Sequence, residues 1–123
     1  MAAYDWDSSY TALVNAQVIT NASDNTSTEV SQDGKLASEV GVTIAYGGTA
    51  TQGVKVYVLR LADGTNFETE SDAPWGFSMP YATSVTRRKV FTVPGSIGSF
   101  KILLTNDTGA SVTADVDYRQ AIV

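Results

Sequence analysis

The stretch that decides the fold is LASEVGVTIAY, Leu36 to Tyr46, in which Leu36, Ser38, Val40, Val42, Ile44 and Tyr46 alternate with Ala37, Glu39, Gly41, Thr43 and Ala45. A helix would need apolar residues every three or four positions. A period of two predicts instead a strand with one face on a core and the other toward water. Asp33-Gly34 before this run and Gly47-Gly48 after it supply the positive φ that tight turns require.

The same rhythm recurs on both sides. In Val54 to Leu61, Val54, Val56 and Val58 face one way and Tyr57, Leu59 and Leu61 the other, so this strand is expected to be covered on both faces. Val85, Arg87, Lys89, Phe91 and Val93 alternate with Thr86, Arg88, Val90 and Thr92. Upstream, Tyr10 to Thr20 reads as a first strand, and the polar tract Asn21 to Thr28 as a long loop. Ala62 to Thr65 is a turn leading into a weaker strand signal at Asn66 to Glu70. From Ser71 to Ser84, Pro74 and Pro80 flank Trp75, Phe77 and Met79, which predicts a loop with at most a short edge strand. Phe100 to Thr105 and Ser111 to Tyr118, joined by Asn106 to Ala110, read as a closing hairpin.

Strands at intervals of about ten residues, with no long helical pattern, predict an all-β protein: an antiparallel β-sandwich, jelly-roll-like. An immunoglobulin-like Greek key is the alternative, because periodicity does not encode strand order. The expected core is Leu36, Val40, Val42, Ile44, Val56, Val58, Phe91, Ile102, Leu104, Val112, Val116 and Tyr118. Residues 1–9 are read as an N-terminal arm and 10–123 as a single domain.

Composition narrows the chemistry. The 123 residues include 14 Val and 15 Thr, which favour strands, and no Cys or His. A disulfide, the usual zinc ligand sets, the Ser/His/Asp triad and the Cys/His pair are therefore all unavailable. No catalytic residue, metal set or cofactor site is assigned, and the chain is expected not to be an enzyme. Eight basic residues against 13 acids give a net charge of -5, the wrong sign for a partner made of phosphates. Met1 to Ser9 lacks a basic n-region and an apolar run, and nothing elsewhere approaches the ~18 apolar residues of a membrane span. The expectation is a soluble protein with neither nucleic acid nor membrane as partner.

Three groups of residues stand out. Acids at i, i+2 spacing, Asp5/Asp7, Glu68/Glu70 and Asp115/Asp117, share strand faces, but without the Asp/Asn/Gly pattern of a calcium loop they read as solvated surface. Arg87, Arg88 and Lys89 concentrate three of the eight cations in one strand, suited to an acidic partner surface and to guarding an exposed sheet edge. Tyr4 and Trp6 in the arm, with Trp75, Phe77 and Tyr81 in the proline-flanked loop, are aromatics outside the alternating strands and so interface candidates. The arm is expected to gain its order from contacts outside its own sandwich.

Taken together, the acidic balance, the lack of Cys, the short arm, the Ser/Thr-rich strands and the closing segment Ser99 to Tyr118 resemble the small decoration or cement proteins on the outside of tailed-bacteriophage heads. The resemblance implies a sandwich or jelly roll that assembles, with a trimer favoured, on the major capsid protein and stabilises the shell. Its place would be the capsid outer surface of the virion, after synthesis in the host cytoplasm. A phage fibre or tail domain has the same style. A carbohydrate-binding module is the competing class, with Trp75, Phe77 and Tyr81 as its platform.

Overall fold

The computed structural model describes residues 4–123. Among them, nine strands run in chain order: β1 (Asp5–Trp6), β2 (Thr11–Ile19), β3 (Ser23–Thr26), β4 (Ala37–Ala45), β5 (Lys55–Arg60), β6 (Gly76–Ser78), β7 (Thr86–Pro94), β8 (Phe100–Asn106) and β9 (Val112–Ile122). A 3-10 turn, Gly95–Ile97, separates β7 from β8. One sheet has the order β2-β9-β4-β7, with β1 beside the far end of β9, and the other has the order β3-β8-β5-β6.

This order is that of a jelly roll, and it sets aside the immunoglobulin-like alternative. Antiparallel partners nest about the turn at Ala62 to Asn66: β5 with β6, β4 with β7, β3 with β8 and β2 with β9. The chain is in effect one long hairpin, rolled up by the further pairings of β4 with β9 and β5 with β8.

The inward faces follow the alternation. Ser38, Val40, Val42 and Ile44 of β4 are wholly buried, against Val56 and Val58 of β5, Phe100, Ile102 and Leu104 of β8 and Val112, Ala114 and Val116 of β9. Burying each large apolar side chain contributes about 1.5–3 kcal/mol before the entropy of ordering it. Ser38 is tolerated there because its hydroxyl donates to Gln32 Oε1 at 2.7 Å, while the Gln32 amide donates to the carbonyls of Pro94 and Gly98.

Several expectations are corrected. Phe100 to Thr105 and Ser111 to Tyr118 do not form a hairpin. Their strands lie in opposite sheets, since Ile102 and Leu104 face Val112 and Val116 across the core and not side by side. A buried Asn106 makes the crossing: its amide donates to the carbonyls of Ile19 and Ala110 at 2.8 Å each, and its Oδ1 accepts from Thr108 N and Oγ1. The tract Asn21 to Thr28 is not all loop, because β3 pairs with β8 as an edge strand whose polar side chains stay largely exposed. Asn66 to Glu70 yields one bridge, Leu61 to Phe67. Leu36, Phe91 and Tyr118 are half-buried, and Ala37 and Ala121 occupy buried positions near the ends of β4 and β9.

Candidate functional site

Surface chemistry left over from folding gathers on the two rims of the β2-β9-β4-β7 sheet. At one rim, β7 pairs only with β4, so its other side is an open edge. Arg87, Arg88 and Lys89 are exposed on it, and among the described residues the ion pairs are Arg60 with Glu68 and Arg119 with Glu39, which leaves these three cations without an acidic partner. Exposed apolar side chains share the segment: Tyr81, Val85 and Val90, the last 60% accessible.

The alternation within β7 accounts for what lies behind it. Phe91 turns inward and meets the rings of Phe77 at 5.2 Å and Trp75 at 6.4 Å, both edge to face, while the Lys89 ammonium sits 5.5 Å from the Phe77 ring. Trp75 and Phe77 thus close the gap between edge strands β6 and β7 and pack on the core. As a flat platform for a sugar ring they are poorly presented. Tyr81 is the loop aromatic that remains exposed, with its ring 6.3 Å from Tyr46.

At the other rim, the arm behaves differently from expectation. Asp5 and Trp6 pair with Ile122 and Ala121 of β9, and the Asp7 carboxylate accepts from Gln120 N at 3.0 Å while Asp7 N donates to the Gln120 carbonyl at 2.9 Å. Tyr4 and Trp6, with ring centroids 6.0 Å apart, lie together as an extended i, i+2 pair should. Order at Asp5 to Asp7 therefore comes from the chain's own sheet, because β9 extends beyond the end of β2 and offers free edge to pair with. Residues 1–3 of the arm lie outside the described residues.

Sequence reading missed the group that fastens this rim. The Arg119 guanidinium lies 5.1 Å from the Trp6 ring and 5.2 Å from the Tyr10 ring, and its Nε donates to Glu39 Oε1 at 3.1 Å. Tyr10 hydroxyl donates to the same Glu39 oxygen. That hydrogen bond, aided by Arg119, holds the Glu39 carboxyl below its ordinary range, and the Tyr10 phenol is correspondingly raised. Cross-strand register, which sets Glu39 opposite Arg119, was the missing signal. Tyr4, Tyr10 and Ile122 are exposed around this cluster, with Asp5 and Asp7 beside it, while exposed Val18 lies toward the other end of β2, opposite Thr113.

The remaining acidic pairs are set apart by the fold. Asp115 accepts from Ala16 N at 2.8 Å, where β2 bulges and Ala16 takes φ 47°. Burial, with the charge of Asp115 beside it, pushes the Asp117 carboxyl up. Glu68 is held down by Arg60, which it engages through both oxygens, at 3.0 and 3.1 Å. Glu70 reaches only the Thr105 hydroxyl, at 3.5 Å. No group of three or more acids suited to a metal ion occurs among the described residues.

No family model matches the sequence, and no curated protein matches it either. Solved structures do share the fold. The chain is similar to VP2 in the infectious bursal disease virus subviral particle, with a TM-score of 0.58 at 11% identity over 97% of this chain and 32% of that one. It spans about a third of the length of that VP2 chain. The C-terminal CBM6 of the laminarinase LamC from Zobellia galactanivorans aligns over 81% of this chain and 74% of its own, with a TM-score of 0.50 at 14% identity. The enzymatically active domain of tailspike protein 4 of bacteriophage CBA120 aligns over 92% of this chain and 19% of its own, with a TM-score of 0.50 at 12% identity. At such identities the likeness is one of fold alone, an all-β sandwich.

Proposed function

We propose that this chain is a non-enzymatic structural protein of a virus particle, a decoration or cement protein that binds the outer surface of a phage head and stabilises it. Its partners in this reading are the major capsid protein and further copies of itself, with a trimer as the favoured assembly, and its place is the virion surface after synthesis in the host cytoplasm. The observation that carries the reading is the distribution of uncommitted surface: exposed aromatics, valines and unpaired charges lie on the two rims of one sheet, which suits flat contacts between subunits. The likeness to a viral coat domain and to a phage tailspike supports the same class at the level of fold.

A carbohydrate-binding module draws on the likeness to CBM6. Against it, Trp75 and Phe77 are committed to Phe91 and the core, so Tyr81 alone of the three platform residues is exposed. The deciding experiment incubates purified protein with phage heads that lack it, followed by sedimentation and heating of the heads. Co-sedimentation at a fixed number of copies per head, with a raised disruption temperature, is the expected result. Failure to bind heads, together with retention on a glycan array, would overturn the proposal in favour of the module.

A further inference from the structure

The two rims differ in sign. The β7 rim carries Arg87, Arg88 and Lys89 with exposed Tyr81, Val85 and Val90. The β1/β2 rim carries Asp5 and Asp7 with exposed Tyr4, Tyr10, Val18 and Ile122. These seven side chains make up all but Val123 of the large apolar residues that are exposed among the described ones. They lie at opposite edges of one sheet, so a single chain cannot bring its own two rims together.

We propose that the β7 rim of one copy docks on the β1/β2 rim of a second copy, head to tail. The inference rests on the assembly reading above and names its mating surfaces. Two acidic chains of net charge -5 repel unless opposite patches meet, and this pairing sets the cluster of three unpaired cations against the two acids of the arm. It also covers exposed apolar surface on both sides, and it fills the open edge of β7, where a free strand would otherwise invite unspecific pairing. Each subunit uses a different patch at its two contacts, so the interface is heterologous and generates a ring when the rotation closes. Because Trp6 is clamped by Arg119 and Trp75 is packed inward, both rims are held in place before contact, which lowers the ordering cost of association.

The test measures the mass of the isolated protein by light scattering at low and high salt. The expected wild-type result is a multiple of the 13.0 kDa chain at low salt that falls toward the monomer as salt screens the charges. The triple variant R87E/R88E/K89E and the double variant D5K/D7K should each be monomeric, and the chain carrying all five reversals should regain the wild-type mass. A second measurement uses the absence of native cysteine: the chain carrying both Val90→Cys and Tyr4→Cys should cross-link between copies on oxidation, whereas neither single variant should. Cross-linked dimers from Val90→Cys alone would show a two-fold symmetric contact and overturn the proposal. So would a wild type that stays monomeric at low salt and millimolar concentration. If that monomer still binds heads, and R87E/R88E/K89E does not, the β7 rim faces the shell; the self-association is then wrong while the decoration reading stands.

Discussion

Asn106→Ala should be among the most damaging single substitutions in this protein. Asn106 is wholly buried and makes four hydrogen bonds: two from its amide, to the carbonyls of Ile19 and Ala110, and two to its Oδ1, from Thr108 N and Oγ1. Two of the four partners have a replacement. Ala110 O lies 2.9 Å from Thr108 Oγ1, so once Asn106 Oδ1 is gone the Thr108 hydroxyl can turn its one proton to that carbonyl, which serves both. The Thr108 N–H and the side of Ile19 O that faced the amide lose theirs, each at roughly 1–3 kcal/mol for a buried polar group left unmatched. With lost packing included, the expected cost is about 3 kcal/mol, a fall in melting temperature on the order of 10 °C for a chain of this size. Urea unfolding followed by tryptophan fluorescence would measure it, with an unchanged slope confirming that the same surface is exposed. Asn106→Asp should fare little better at neutral pH, since it turns an oxygen toward two carbonyl oxygens, and should recover in part once acid protonates the carboxyl. A cost below about 0.5 kcal/mol for Asn106→Ala would refute the claim that this side chain holds the crossing between the sheets.

Val42→Ala should cost about 2 kcal/mol, because Val42 is wholly buried and a packed core closes only partly around the space the lost methyl groups leave; equilibrium denaturation checks it. Gly53→Ala should destabilise by about 1–3 kcal/mol or more, since a Cβ there would run into the Met79 carbonyl oxygen, a backbone atom that the hydrogen bond from Met79 N to the Val54 carbonyl holds in place; thermal unfolding reads the loss. The carboxyl of Asp63 is held at about 2 against an ordinary 3.8 by the Asn66 side-chain amide and then by the backbone N–H groups of Asn66 and Thr65. A pKa lowered in the fold means stabilisation present above the unfolded value and lost as pH falls through the folded one. The Asp63 resonance should therefore titrate with a midpoint near 2, and Asp63→Asn should flatten the loss of stability between pH 4 and 2.

Residues with a clear two-fold rhythm are legible in the sequence itself. Val40, Val42 and Ile44 are buried as their alternation implies, and so is the inward turn of Val93 and, in part, Phe91. Period carries the face of a strand but not its neighbour, which is why β8 and β9 read as a hairpin: adjacency in sequence, apolar faces and a turn between them are equally compatible with two strands on opposite sides of a core. The clamp of Arg119 on Trp6 and Tyr10 is invisible in the sequence for the same reason, since its members lie far apart along the chain and meet only through the register of β9 with β1, β2 and β4. Arg87, Arg88 and Lys89 fall on one strand by their spacing alone, and their being an outer edge follows from topology. Flanking prolines make Trp75 and Phe77 read as loop aromatics and interface candidates; Phe91, on the neighbouring edge strand, packs edge to face against both.

The nesting of partners about the turn at Ala62 to Asn66 has a consequence for how the protein comes into being. Every strand before that turn has its antiparallel partner after it, and the outermost pairs are the farthest apart in sequence. Such non-local pairing places folding in the slow range of milliseconds to seconds. On a ribosome adding about 5–20 residues per second, the first half of the chain spends seconds with no strand to pair with. Its early segments are suited to that wait: β3 is Ser23-Asp24-Asn25-Thr26, and β2 is interrupted by Asn15 and Gln17 and bent at Ala16, features that make poor templates for aggregation. The apolar alternations of β4 and β5 come last before the turn, so the segments with most to hide are made closest in time to the β6 and β7 that will cover their edges.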